Sequence, residues 1–264
     1  MTASHAQHIS SRENAFLKKL RRLAQDSSAY RKQGHIWVEG DHLCAAALAR
    51  GMQPVAAVFS ESFWPRAATP WLTVAAKTVV IPDALFAAIS ALESPAGLGF
   101  VLELPPIVAM QAKMASVILD RVQDAGNVGS ILRSACAFGF KQIIALKGTA
   151  ALWSPKVLRA GMGAHWGLQI IEDADLSELA ALDLPIVVTS SHQGILLHQA
   201  LQNGVLPAPC AWVLGHEGQG VGGALEALAC LHVRIAQPGG EESLNVAAAA
   251  AICLHASATA AMAG

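Results

Sequence analysis

The chain has 264 residues, of which 53% are hydrophobic and 14% charged. That is enough apolar material for one large core or two modest ones and the wrong balance for a disordered chain. No apolar run reaches the ~18 uncharged residues of a membrane span, and the net charge of −1 offers no global attraction for nucleic acid. The opening residues hold no apolar stretch of signal type, so the cytoplasm is the expected compartment. Five cysteines, Cys44, Cys136, Cys210, Cys230 and Cys253, lie far apart with no CxxC pair. They read as reduced thiols, with neither a disulfide framework nor a metal site expected.

Charge is unevenly spread. Residues 1–35 hold seven basic side chains against two acidic ones, and the rest of the chain holds eleven against seventeen. Arg12, Lys18, Lys19, Arg21 and Arg22 cluster where Phe16, Leu17, Leu20 and Leu23 recur at helical spacing, predicting a helix over Arg12–Gln25 capped by Ser10 or Ser11. Its basic face is either a local phosphate contact or a solvated surface. Strands follow at His35–Glu39, Val55–Phe59, Thr78–Ile81 and Leu98–Leu104, with helices from Asp41 to about Arg50 and over Asp83–Ser90. This is a small α/β domain, residues 1–105, closed by Leu104-Pro105-Pro106, because consecutive prolines oppose helix and central strand.

The alternation restarts in residues 106–264. Strands are expected at Ser116–Leu119, Gln142–Leu146, Leu168–Ile171, Ile186–Thr189, Trp212–Leu214 and His232–Ile235. Helices are expected at Val128–Phe138, Ser154–Met162, Ser177–Leu182, Val221–Ala229 and Leu244–Ala261. Short Val/Ile-rich strands predict a parallel sheet covered by helices, with ligands beyond the carboxyl ends of the strands.

Polar clusters fall at those ends, Asp120–Asn127, Thr189–Gly194, Gly215–Gly220 and Gln237–Asn245, and three segments among them carry candidate chemistry. In the first, Asp120–Arg133, Asn127 opens a helix and reads as an N-cap or a ligand contact. Arg133 sits among apolar and small residues, a setting in which arginine pairs with a carboxylate or a phosphate. In the second, Gly215–Val221, Glu217 reads as a helix-terminal charge or a site residue. Gly218, Gly220 and Gly223 spell GxGxxG, but a dinucleotide fingerprint opens a βαβ unit and here one strand remains, so a tight ligand-facing loop is expected instead. In the third, Ile235–Ala247, Ser243 is a candidate N-cap for the last helix. No histidine lies in a nucleophile-elbow context.

Together and in this order the three segments resemble the SpoU (TrmH-like) family of the SPOUT methyltransferases. Asn127, Gly129, Ile131, Arg133 and Ala135 meet its first motif, Leu214, Gly215, Glu217 and Gly220 its second, and Ser243-Leu244-Asn245-Val246 its third. The helix-then-strand opening that ends in Glu39-Gly40 is similar to the family's L30e-like RNA substrate-binding domain. The resemblance implies a trefoil knot at the C-terminus, a homodimer with part of each site near the partner subunit, and S-adenosylmethionine as cofactor. It implies cofactor contacts at Thr189, Leu214, Gly215, Gly220, Ile235 and Leu244. Arg133 would activate a ribose 2′-hydroxyl, with Asn127, Glu217, Ser243 and Asn245 holding it and the ribose-phosphate, while the basic N-terminal residues bind RNA. The implied activity is 2′-O-methylation of RNA, ribosomal 23S before transfer RNA. An RNA-binding protein of the same fold without activity, and a nicotinamide oxidoreductase, are the other classes. The chain departs from the family at Ile235-Ala236-Gln237, where Ile-Pro-Met is usual.

Overall fold

The computed structural model describes residues 6–67, 69–239 and 243–263. Gly240, Glu241 and Glu242 of the third polar segment lie outside the described residues. The chain divides into two units, residues 1–106 with 153–163, and residues 107–152 with 164–264.

The first unit is built from β1 (Gln7–His8), α1 (Ala15–Gln25), α2 (Ala29–Gln33), β2 (His35–Glu39), α3 (Asp41–Ala49), β3 (Ala56–Ser60), α4 (Thr69–Thr73), β4 (Lys77–Ile81), α5 (Asp83–Ile89) and β5 (Leu98–Glu103). Its five strands lie in the order β1-β4-β3-β5-β2, with β5 antiparallel to both β2 and β3. Helix α1 begins three residues later than its periodicity suggests. Asn14, not Ser10 or Ser11, caps it, its side-chain oxygen accepting from the Phe16 amide at 2.9 Å. Leu17, Leu20, Leu23 and Ala24 face the core, which leaves Arg12, Lys18, Lys19, Arg21 and Arg22 exposed. Gly99 in β5 is obligatory, because a Cβ there would collide with the Trp37 ring on the neighbouring strand.

The second unit holds β6 (Ser116–Leu119), α6 (Ala125–Ala137) and β7 (Gln142–Leu146). The next helix, α7 (Pro155–Gly161), belongs to the first unit, where it packs on β2 and α1. Nothing in its spacing signals that crossing. There follow β8 (Gln169–Ala174), β9 (Ile186–Thr189), β10 (Ile195–Leu196), α8 (Leu197–Gln202), β11 (Ala211–Leu214), α9 (Gly223–Glu226), β12 (Leu231–Arg234) and α10 (Val246–Ala263). All seven strands are parallel, in the order β10-β12-β9-β11-β6-β7-β8. The α/β fold with a parallel sheet is therefore the one the strand pattern predicts.

Two expected helices are shorter or tighter than their patterns. Residues Leu176–Leu182 form a 3-10 helix, and α9 covers only Gly223–Glu226 of the expected Val221–Ala229. Trp212 is fully buried on β11, and its indole N–H donates to Ser257 Oγ at 2.8 Å, tying α10 to the sheet centre. Because β12, β9, β11 and β6 are neighbours and parallel, the loops that leave their carboxyl ends stand side by side. That is where the fold leaves a crevice.

Candidate active site

Helix α6 starts directly after the loop that follows β6. Asp124 is its N-cap, accepting from the Asn127 amide at 2.7 Å. Asn127 is thus inside the first turn and not the cap, so its side chain is available for another partner. At the head of α10 the cap is Asn245 and not Ser243, since Asn245 Oδ1 accepts from the amides of Ala247 (2.9 Å) and Ala248 (3.2 Å).

The loop after β11 is fixed by its own backbone. The His216 amide donates to the Gly220 carbonyl at 3.0 Å and the Gly220 amide returns to His216 at 2.8 Å. His216 Nδ1 accepts from the Gly218 and Gln219 amides at 3.0 and 3.2 Å, so it is the unprotonated ring nitrogen. A Cβ at Gly215 would collide with Gly220 and the Val221 amide, which makes glycine the only residue that closes this turn. Gly218 and Gly220 of the GxGxxG stretch therefore lie in a tight reversed loop, and Gly223 begins α9.

This closure presents Glu217 to the head of α6. Its carboxylate accepts from the Gln123 amide (3.2 Å), the Asp124 amide (3.1 Å) and Asn127 Nδ2 (3.1 Å). Asn127 Oδ1 in turn accepts from Asn245 Nδ2 at 2.9 Å. One hydrogen-bonded chain, Glu217–Asn127–Asn245, therefore joins all three polar segments, and each amide points the way its partners require. Desolvation pulls the Glu217 carboxyl up, but the hydrogen bonds from Asn127 and the backbone amides outweigh it and hold it below its ordinary 4.5. A carboxylate depressed in this way keeps its contribution above its unfolded pKa and loses it only as pH falls through the lower folded value.

A second clasp lies behind the loop. Asp120, 5% exposed at the end of β6, receives a two-pronged pair from Arg121 at 2.9 and 3.0 Å and the Gly222 amide at 2.7 Å. The hydrogen bonds and charge of Asp120 hold the Arg121 guanidinium pKa above its usual value. Arg121 Nη1 reaches Gln219 at 3.1 Å. Arg121 takes a positive φ of 57° to make this turn. Sequence reasoning missed this pair; the only signal was an adjacent Asp-Arg at a strand end.

A cavity of about 540 Å³ opens beside the chain, within the usual size for a small-molecule site. Thr189, Gly215, Gly220, Ile235 and Leu244 line it, with Glu217, Ser243 and Asn245. Thr189 also donates its hydroxyl to the Val213 carbonyl at 3.0 Å, which joins β9 to β11 at the rim. Leu214 does not line it. Its side chain is fully buried in the sheet and its carbonyl accepts from the Asp120 amide at 2.9 Å, so it can act only by supporting Gly215. Ser190, Ser191, His192, Glu226 and Gln237 are wall residues that no motif announced. Gln237 Oε1 is buried with no hydrogen-bond partner among the described residues.

Arg133 stands apart. It is exposed on α6 and is not part of the cavity wall. Six positions along a helix are about 9 Å and about 240° of rotation, so Asn127 and Arg133 do not share a face. Among the described residues no carboxylate pairs with it.

Comparison with known proteins bears on this arrangement. The profile of the SpoU rRNA Methylase family matches residues 114–255, more than half the chain. An MRM3-like substrate binding domain matches residues 14–99. A 23S rRNA guanosine 2′-O-methyltransferase of Bacillus subtilis, RlmP, is 28% identical over 83% of this chain and 86% of its own length. An uncharacterized tRNA/rRNA methyltransferase of Synechocystis is 28% identical over 94% of this chain and 92% of its own. The crystal structure of an RNA 2′-O ribose methyltransferase superposes with a TM-score of 0.79 at 26% identity, covering 97% of this chain and all of that one. The SpoU methyltransferase AviRb of Streptomyces viridochromogenes, in complex with AdoMet, shares the fold at a TM-score of 0.82, with 22% identity over 96% of this chain.

The fold and the three joined segments are those of a SPOUT-class RNA methyltransferase. Within that class, the chain belongs to the SpoU rRNA Methylase family.

Proposed function

We propose that this methyltransferase transfers the methyl group of S-adenosylmethionine to a ribose 2′-hydroxyl of 23S ribosomal RNA. The observation that carries the reading is the Glu217–Asn127–Asn245 chain at the rim of the cavity. The cavity residues fit the cofactor. Val233, Ile235 and Leu244 offer an apolar wall, and Ser190, Ser191, His192 and Gln237 polar groups. When bound, S-adenosylmethionine supplies an electrophilic methyl group on a sulfonium.

The protein's part is positioning. Thr189, Gly215, Gly220, Ile235 and Leu244 hold the cofactor, with Leu214 behind Gly215. Asn127, Glu217, Ser243 and Asn245 fix the ribose-phosphate. Arg133 binds the phosphate beside the reacting hydroxyl and stabilises the charge that grows as its proton leaves. A guanidinium with a pKa above ~12 does not itself take that proton.

The protein acts as a homodimer in which Arg133 of one copy completes the site of the other. Two features support this: Arg133 lies off its own cavity wall, and α10 shows an apolar exposed face that includes Ile252 and Met262, 41% and 87% exposed. The C-terminal loops are threaded as a trefoil knot, a reading the strand order β10-β12-β9-β11-β6 favours. The compartment is the cytoplasm; no helix among the described residues is long and apolar enough to cross a membrane.

Residues 1–105, joined by the α7 stretch 153–163, form the RNA substrate-binding domain, and the rest of 106–264 the methyltransferase domain. Lys19, Arg21 and Arg22 on α1, with Arg12 before it, meet the RNA backbone. Lys18 contributes less, because Glu13 already pairs with it at 2.5 Å. Replacing Lys19, Arg21 and Arg22 together by alanine is expected to weaken RNA binding and lower the salt slope of log K by up to about three, roughly one per phosphate contact. Binding of S-adenosylhomocysteine should not change. An unaltered salt slope in filter binding would remove α1 from the interface.

Substrate choice is tested with methyl-labelled cofactor and RNA from a strain lacking the gene. Label is expected in 23S rRNA. Label confined to transfer RNA would replace the proposed substrate, and no label in any RNA would leave a binding protein without activity.

A further inference from the structure

We infer that Asp120 and Arg121 are positioning residues for the cofactor. They hold the loop after β11 in its binding shape, so that they govern cofactor affinity while Glu217, on the same loop, governs transfer. The inference rests on the cofactor reading above. Neither residue of the pair belongs to the cavity wall, so any effect they have on the cofactor passes through the loop. One side of that loop faces the cavity, which Gly215, Gly218, Gln219, Gly220 and Val221 line. Its other side rests on the pair. The Gly222 amide donates to Asp120 Oδ2 at 2.7 Å, and Arg121 Nη1 donates to Gln219 Oε1 at 3.1 Å. A Cβ on Gly222 would come within 3.3 Å of both Asp120 Oδ2 and Arg121 Nη2, so the loop lies directly on the fork.

The pair is itself braced. Arg121 grips Asp120 through Nε at 2.9 Å and Nη2 at 3.0 Å. The Arg121 amide donates to Thr149 Oγ1 at 3.1 Å, and that hydroxyl donates to the Leu119 carbonyl at 3.0 Å. The arginine stem runs beside Gly148, where a Cβ would come within 3.2 Å of its Cγ. The loop is thereby referred to the ends of β6 and β7, which are neighbours in the sheet. The paired backbone bonds of His216 and Gly220 set the shape of the turn but not its place. Glu217 ties the turn to α6, and the pair ties its far end to the sheet. A loop held ready costs the ligand less ordering. Once released, only a fraction of loops is competent, and the apparent Kd rises by the inverse of that fraction. Bound cofactor then selects the competent shape, so the rate at saturation is largely kept.

The test compares wild type with Arg121→Met, which keeps the stem and removes the fork, and Arg121→Lys, which keeps the charge as a single point. Calorimetry of S-adenosylhomocysteine is run beside methyl transfer to 23S rRNA from a strain lacking the gene. In Arg121→Met the ligand should bind about tenfold more weakly, the scale of one partly exposed charged hydrogen bond. KM for the cofactor should rise by the same factor, with kcat within about threefold and KM for RNA unchanged. Arg121→Lys should fall between. Asp120→Asn should also weaken the ligand, and adding Arg121→Met to it should weaken it little further, because both act through one clasp. Unchanged ligand affinity in Arg121→Met would overturn the assignment, and so would additive effects in the double variant. A joint fall in cofactor affinity, kcat and RNA affinity in both Arg121 variants would reduce the pair to general scaffolding and overturn it as well. Wild type that bound no S-adenosylhomocysteine would bring down the cofactor reading itself, an outcome distinct from variants that bind as wild type does.

Discussion

Arg133→Ala is expected to lower methyl transfer by about 10²–10³-fold, the effect of removing one preorganised charge partner from a transition state. Affinity for S-adenosylhomocysteine should stay within about twofold of wild type, because Arg133 is no part of the cavity wall. Its position on α6, about 120° around the axis from Asn127, gives the variant a second use. Arg133→Ala and Glu217→Ala proteins, each nearly inactive, should restore about a quarter of wild-type activity when mixed and allowed to exchange, because half of the dimers carry one intact composite site of two. No recovery on mixing, in a protein shown to be dimeric, would place Arg133 in the site of its own chain. Full transfer by Arg133→Ala alone would remove it from the chemistry.

Glu217→Ala should have the next largest effect, about a hundredfold on transfer. The carboxylate is the common acceptor for Gln123, Asp124 and Asn127. Its loss frees the loop after β11 from the head of α6 and leaves Asn127 with only its bond to Asn245. Charge-assisted hydrogen bonds of this kind are each worth ~1.5–3 kcal/mol where they are shielded, but these are partly exposed and each contributes less. Glu217→Gln keeps the shape and one acceptor oxygen while turning an NH2 toward a backbone donor, so an intermediate loss is expected. The titration offers an independent check. The Glu217 carboxyl should titrate below 4.5 in wild type, and in Asn127→Ala it should move up, because a donor that favours the charged form has gone. A carboxyl insensitive to Asn127 would break the proposed link between the first two segments.

Much of this was legible in the residues. The parallel sheet follows from short Val/Ile-rich strands, and Ser116–Leu119, Gln142–Leu146 and Ile186–Thr189 match the structure residue for residue. Strands β1 and β10 were not legible, since each is two residues long and no periodicity can show at that length. The caps were misread for a physical reason. Asn127 and Ser243 both have cap chemistry, but Asp124 and Asn245 lie where the backbone amides converge, and spacing alone does not choose between adjacent polar residues. The three motifs group Asn127, Glu217 and Asn245 in one site, but their direct link is visible only in the structure, where Asp124 has relieved Asn127 of capping. The loop after β9 and the stretch from Gln237 show as polar clusters at strand ends, but nothing local singles out Ser190, His192 or Gln237 within them as wall residues. Their place in the wall depends on which strands are neighbours.

The joined segments serve to methylate a ribose hydroxyl. Nucleoside analysis of RNA labelled by the wild-type protein measures this most directly. The methyl group is expected on the 2′-oxygen of one nucleotide, where it makes the adjoining phosphodiester resistant to alkali. Label on a base, leaving every linkage alkali-sensitive, would contradict the account.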